Sequence, residues 1–194
     1  MFTQTNEITF KLPSWISDYT KETDTIKDIN DRVNFVIEAS KQNILNKTGG
    51  PFAAAVFEKD SGKLIALGVN LVTSEGLSTL HAEIVALEIA ENKLHTYDLS
   101  GDDSIEYEIV SSCEPCAMCF GAIPWSGVKR VITCAKDEDA RAIGFEEGDK
   151  PKDWRVSYKN RGIEVIDEVK REEAKEVLNF YLENGGEIYN GTKH

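Results

Sequence analysis

Two stretches organise the 194 residues: Leu80-His81-Ala82-Glu83-Ile84-Val85-Ala86-Leu87-Glu88-Ile89-Ala90 and Pro115-Cys116-Ala117-Met118-Cys119. The first is rich in strong helix formers, so His81 and Glu83 fall in the opening turn of a helix. On a mid-helix surface, residues i and i+2 diverge by about 200° and could not share a ligand. At a helix tip both can lean toward a point beyond the end of the axis. Cys116 and Cys119 stand at i and i+3, and they share one face if Pro115 opens a helix, a position proline suits. Two helix N-termini would then point at one spot, where partial positive charge favours thiolate over thiol. One histidine and two cysteines make three zinc ligands, one short of a closed structural site. The fourth position is left for a water that zinc brings to a near-neutral pKa. Glu83, two residues from His81, is placed to handle that water's protons without binding the metal.

Other readings of these residues exist. A lone C-x-x-C with a distant histidine also occurs in structural zinc and redox sites. Cys113-x-x-Cys116-x-x-Cys119 begins an iron–sulfur run, but no cysteine follows at the fourth position of that pattern. The remaining cysteine, Cys134, lies on a predicted strand, and His95 is far down the helix from His81. Glu83 and Pro115 in register favour a hydrolytic zinc enzyme.

Composition bounds the rest. The length suits one domain, residues 1–194, with chain enough for a full core. A hydrophobic content of 41% and a charged content of 29% are those of a soluble globular protein. The first 20 residues lack a basic start and an apolar run, and no stretch approaches the ~20 apolar residues of a membrane span. Four cysteines, two of them assigned to metal, do not make a disulfide framework, which predicts a cytoplasmic protein. A net charge of −12 with no basic cluster argues against a nucleic-acid substrate.

Residues 1–27 read as an extension that packs on the body, with Trp15 and Ile16 as anchors. Asp31 to Lys47 carries Val33, Val36, Ile37, Ile44 and Leu45 at helical spacing, closed by Gly49-Gly50-Pro51. Phe52 to Phe57 and Leu64 to Val69 are strands around the turn Lys59-Asp60-Ser61-Gly62. The His81 helix runs to about Leu94. Ile105 to Ser111 is a strand leading into the Cys116 helix, and Val128 to Cys134 is another strand. A short helix (138–143), a last strand (163–169) and an amphipathic helix (170–182) precede a tail (183–194). A hairpin followed by strand–helix alternation predicts an α/β fold with three α-β-α layers, a mixed five-stranded sheet with helices on both faces. The metal-binding segments then meet at one edge of the sheet, where helix N-termini gather around a small-molecule cleft.

H-x-E followed by P-C-x-x-C is the zinc deaminase signature. With the element order, it makes the chain resemble the cytidine deaminase-like superfamily, and within it the small bacterial guanine deaminases, from about Ile29 to the tail. The resemblance is carried by Gly49-Gly50-Pro51-Phe52-Ala53-Ala54-Ala55-Val56-Phe57, His81-Ala82-Glu83-Ile84, Ser112-Cys113-Glu114-Pro115-Cys116-Ala117-Met118-Cys119-Phe120-Gly121-Ala122, Trp125-Ser126-Gly127-Val128 and Ala142-Ile143-Gly144-Phe145-Glu146-Glu147-Gly148. The zinc motifs are specific to the superfamily only, whereas Ile143-Gly144-Phe145 with its trailing acids points to guanine.

The resemblance implies hydrolysis of guanine to xanthine and ammonia in purine catabolism, with side activity on aminated triazines such as ammeline. It implies one zinc ion per chain on His81, Cys116 and Cys119, and Glu83 acting as base and then acid. Glu147 would be a second carboxylate near the substrate amino group, with Glu146 its adjacent competitor. Asn70 would hydrogen-bond the purine ring, and Phe52, Ala82, Trp125 and Phe145 would complete the substrate pocket. From the residues alone, Glu147 is one acid of a solvated loop, Asn70 a turn residue, and the aromatics core side chains. The resemblance further implies a homodimer and a C-terminal segment that covers an active site. Tyr189 and His194 stay outside the catalytic set, because terminal segments fray.

Rivals are a deaminase of guanosine or cytosine and a tRNA adenosine deaminase. Guanosine needs room for a ribose where Trp125 would stand, and tRNA must be held as a polyanion by a chain of charge −12. A zinc scaffold without turnover is the rival from another class, and it has no need of Glu83.

Overall fold

Strand β1 (Ala53–Glu58) alternates between two cores, and this alternation sets the layers of the molecule. The computed structural model describes residues 2–100 and 104–191. Ala53, Ala55 and Phe57 face a core shared with helices α2 (Ile29–Leu45) and α8 (Arg171–Glu183). Ala54 and Val56 face the other, shared with α4 (Ala82–Leu94), α5 (Ala117–Ser126) and α7 (Trp154–Lys159). A strand covered on both faces reads as a continuous apolar run, which is what the triple alanine of β1 is.

The sheet has the order β2-β1-β3-β4-β5, with β2 at Leu64–Val69, β3 at Tyr107–Cys113, β4 at Arg130–Ala135 and β5 at Glu164–Ile166. β1 pairs antiparallel with both β2 and β3. The β3–β4 and β4–β5 pairs are parallel, joined by crossover helices. This is the expected mixed five-stranded sheet with helices on both faces.

Differences from expectation are local. Of the predicted extension, Phe10, Leu12 and a helix α1 (Trp15–Thr20) that the sequence does not announce pack on the body. Ile16 is buried, Trp15 Nε1 donates to Thr48 Oγ1 (3.0 Å), and Tyr19 Oη donates to the Phe35 carbonyl (2.7 Å). The short helices α3 (Val72–Glu75) and α7 are also unannounced, while α6 (Asp137–Ala142) lies where a short helix was expected. The last strand is shorter than expected: its ladder stops at Ile166, and Glu168 and Lys170 take positive φ (59° and 52°) on either side of Val169, whose N–H still donates to the Thr133 carbonyl (3.0 Å). Pro115 does not open α5. The helix starts at Ala117, with Cys116 as its extended N-cap (φ −63°, ψ 172°).

Two features fix the frame. Gly68 on β2 lies under α4, where an added Cβ would come within 2.4 Å of both the Ala82 carbonyl oxygen and the Ala86 nitrogen. Only glycine lets the helix lie that close to the strand. At the far end of the sheet, buried Glu108 accepts from Arg32 Nη1 (2.5 Å) and Arg130 Nε (2.6 Å). Arg32 also donates to the carbonyls of Ile26 (2.7 Å) and Lys59 (3.0 Å), so the buried charges are paired and their hydrogen bonds made. Among the described residues, no helix is long and apolar enough to cross a membrane.

Candidate active site

At the opposite end, the last residues of β2 and β3 and the first of β1 converge below the N-termini of α4 and α5. His81 is the N-cap of α4 and Cys116 the N-cap of α5, both with extended backbones. That conformation swings each side chain across its helix tip. Cys119, one turn into α5, points the same way. His81 Nδ1 lies 3.4 Å from Cys116 Sγ, and the ligand atoms of His81, Cys116 and Cys119 all lie within 4.8 Å of one another. Tetrahedral zinc with ligand bonds of about 2.0–2.3 Å sets its ligands roughly 3.5 Å apart, so the cluster fits that ion and leaves a fourth direction open.

The electrostatics suit a cation. The Cys119 thiol donates toward Cys116, and with His81 beside it this draws the Cys116 thiol down to about 4 against the opposing effect of burial. Cys119 is pushed up, by its bond to the Cys116 thiolate and by burial. Burial opposes charge on His81, but Cys116 and Glu83 outweigh it and raise its pKa. The metal-free site therefore holds one thiolate and one thiol, and metal binding releases the Cys119 proton.

Two carboxyls flank the cluster. Glu83 is buried, accepting from Ser111 Oγ (3.2 Å), with Cys119 Sγ 3.4 Å from its other oxygen. Burial, with the Cys116 thiolate, raises its pKa. Glu147 reaches the same cleft from the loop after α6. Burial, reinforced by Cys116 and Glu83, lifts its pKa to about 9. Its main chain is seated on the tip of α5, where Ala117 N donates to the Glu147 carbonyl (2.8 Å). Carboxyls poised in this way are suited to moving protons at neutral pH.

The free space left in the cleft is about 30 Å³, room for a water or two with Tyr189 across it. Asn70, Phe52, Ala82 and Phe145 line it beside His81, Cys116, Glu83 and Glu147, and Glu146 lies at its edge. The rings of Phe52 and Phe145 meet edge to face at 5.0 Å. Asn70 is fixed through its main chain by Phe52 (Asn70 N to Phe52 O, 3.0 Å) and Asn43 (Asn43 Nδ2 to Asn70 O, 2.9 Å), leaving its amide at the cleft.

Trp125 is not brought to this cleft: it is 85% exposed on the outer surface, beside a shallow groove that Tyr97 also lines. On α5, Cys119 and Ile123 point inward, and a residue six places after Cys119 points away. Tyr189, kept out of the catalytic set on the sequence alone, lines the cleft. It accepts from Asn70 Nδ2 (2.6 Å) and stands 6.1 Å from the His81 ring and 5.6 Å from Phe145. Its only signal in the sequence is an apolar pair, Ile188-Tyr189, in a polar tail. Cys113 and Glu114 also line the cleft. His194 lies outside the described residues.

A sheet of this topology carrying His, Cys and Cys at two helix tips with an adjacent carboxylate defines a zinc-dependent deaminase. Residues 28–135 match the family model for the cytidine and deoxycytidylate deaminase zinc-binding region, and the chain belongs to that family of zinc hydrolases. Within it the chain is similar to guanine deaminases. It is 42% identical over 114 residues to the guanine deaminase of Bacillus subtilis, covering 56% of this chain and 69% of that protein. The solved guanine deaminase from Nitrosomonas europaea superposes with a TM-score of 0.88 at 41% identity, over 94% of this chain and all of that one. A variant of the protein NE0047 in complex with 8-azaguanine gives a TM-score of 0.88 at 42% identity, over 92% of this chain and 98% of that one.

Proposed function

We propose that this protein hydrolyses guanine to xanthine and ammonia. The observation that carries the reading is the convergence of one amide, Asn70, and two carboxyls, Glu83 and Glu147, on a His-Cys-Cys cluster in a cleft walled by Phe52 and Phe145. A guanine deaminase that superposes over nearly the whole chain adds to it. Zinc held by His81, Cys116 and Cys119 supplies Lewis-acid activation of water when bound.

The residues of the chain do the rest. Asn70 offers one donor and one acceptor to the edge of a purine, and the touching rings of Phe52 and Phe145 give the base an apolar wall to pack on. Glu83 takes the proton of the attacking water and delivers it to the ring nitrogen beside C2, acting as base and then acid. Glu147, kept protonated by its burial, hands a proton to the amino group as the C2–N bond breaks and ammonia leaves, and recovers one from the C2 hydroxyl as that becomes the carbonyl. Ala82, at the first turn of α4, brings its backbone against the ring. Side activity extends to aminated triazines such as ammeline, whose ring resembles the six-membered ring of guanine.

The tail belongs to this reading as a cover. Tyr189 occupies the Asn70 amide, so substrate entry requires residues 183–191 to move aside. The molecule works as a homodimer, which the exposed Trp125 and Tyr97, lining one surface groove, support as a site for a second copy. Four unpaired cysteines fit the reducing cytoplasm, where purine catabolism would employ it. Ammonia release by zinc-loaded protein from guanine, guanosine, adenine, cytosine and an aminotriazine tests the assignment. Guanine should be turned over fastest. Preference for another substrate would keep the zinc chemistry and overturn the pocket assignment.

A further inference from the structure

Lys150 takes no part in the arrangement above, yet its side chain is only 8% exposed, tucked beneath the metal-binding loop. Its ammonium reaches Glu114 Oε1 and the Pro115 carbonyl, each at 2.7 Å, and Asp137 Oδ2 at 3.2 Å. The Pro115 carbonyl belongs to the peptide that joins Pro115 to Cys116. Lys150 itself is three residues beyond Glu147. The side chain therefore bridges the segment that carries Glu147 and the segment that carries two metal ligands.

The two segments touch at other points as well. Ala117 N donates to the Glu147 carbonyl at 2.8 Å, while Arg141 on α6 steadies the loop from its other side, Nη2 holding the Gly148 carbonyl at 2.9 Å. Gly148 sits at φ +69°, and a Cβ there would lie 2.7 Å from Ala117 Cβ. The loop is thus pressed onto the tip of α5 with no room for a side chain between them. Burying an ammonium is costly unless it is fully partnered, and these three oxygens satisfy its three donors. A chain that needed only a stable loop could place an apolar residue here with a smaller desolvation penalty.

We infer that Lys150 is a positioning residue for Glu147. By clamping Glu114 and the Pro115 carbonyl it fixes where the Glu147 carboxyl stands over the metal cluster. The inference rests on the reading of Glu147 as the second carboxylate of guanine hydrolysis.

A double-mutant cycle tests it, using Lys150→Met, Glu147→Gln and their combination, with Lys150→Arg alongside. Steady-state guanine kinetics, zinc per chain and melting temperature are read for each. Lys150→Met should keep its zinc and change KM little while kcat falls between about tenfold and a hundredfold, the effect of displacing a reacting group by up to 1 Å. Lys150→Arg, which keeps the charge, should recover part of kcat. In the Glu147→Gln background, Lys150→Met should cost little more, because the group it positions is already gone. The same fold-loss in both backgrounds would overturn the role. If Lys150→Met does not fold, Gly148→Ala lifts the same loop and takes its place in the cycle, where coupling to Glu147 supports the role and additivity overturns it. Wild-type protein without guanine turnover would overturn the function and this inference together. An active wild type with an additive cycle would overturn only the latter.

Discussion

Gly68→Ala tests whether the packing of one helix on one strand positions the chemistry. The added methyl would meet only backbone: the Ala82 carbonyl oxygen and Ala86 nitrogen at 2.4 Å, and the Ala86 Cα at 2.9 Å. None of these can rotate out of the way. To restore van der Waals contact, α4 must retreat by roughly 0.6–1 Å, because interiors are close-packed and the strand behind Gly68 is held in the sheet. The retreat carries Ala82, and with it His81 and Glu83 at the helix tip. Overpacking of this kind costs about 1–3 kcal/mol, and each kcal/mol lowers the melting temperature of a chain this size by about 2–4 °C. Misplacing a reacting group by about 1 Å can cost about a hundredfold in rate. Guanine turnover, zinc content and thermal melting of the purified variant read all three effects. Gly121→Ala is the control, since a Cβ there meets nothing within 4 Å, and an alanine inside α5 should stabilise by about 0.4–1 kcal/mol. A Gly68→Ala protein with wild-type kcat and melting temperature would refute the reasoning.

Other outcomes follow from the same geometry. Glu83→Gln keeps the hydrogen-bonding shape but removes the base, so zinc should stay bound while kcat falls by about 10²–10⁴-fold; near-normal turnover would remove Glu83 from its role. In zinc-free protein, Cys116 should react with iodoacetamide at a rate nearly constant from pH 8 down to pH 5. Its thiolate, held by Cys119 and His81, is protonated only as the pH falls through about 4. Cys113 and Cys134, whose thiols burial pushes up, should stay unlabelled, and peptide mapping would expose the opposite pattern. Glu108→Gln leaves the buried Arg32 guanidinium without its counter-charge and should lose about 3–5 kcal/mol in urea unfolding, with zinc content unchanged. A loss below about 1 kcal/mol would mean that the peptide carbonyls around Arg32 suffice.

The metal cluster is legible in the sequence because its chemistry is local. A ligand at a helix tip must be followed by helix formers, and two thiolates on one face must stand three apart, so His81-x-Glu83 and Cys116-x-x-Cys119 leave their mark within a few residues. The sheet is legible for a similar reason. β1 and β2 are apolar runs on either side of a turn, and β3 and β4 each border a helix. What escapes the sequence depends on distance or on helix phase. Tyr189 meets Asn70 across 119 positions of sequence, and no local pattern encodes that encounter. Trp125 sits in a stretch that carries the family resemblance, but the turn of α5 between Cys119 and residue 125 aims it outward. α1, α3 and α7 have six residues or fewer, too short for an apolar period to register. Glu147 can be singled out by motif, but its burial is not written in the acidic stretch around it.

The loop after α6 and the tail are zipped to each other. Glu146 N donates to Asn190 Oδ1 at 2.9 Å, and Asn190 Nδ2 returns a bond to the Gly144 carbonyl at 3.2 Å. The metal ligands, by contrast, rest on helix tips rooted in the sheet. The loop and the tail are thus joined to each other over the cleft, while the loop alone is also anchored below, to the tip of α5. In descent, a new base preference would be acquired by replacing residues 143–150 and 186–191 as one inherited unit. A chimera that exchanges only one of them should lose the seam between the two, and one that keeps Gly148 and Lys150 should keep the loop's seat beside the metal ligands.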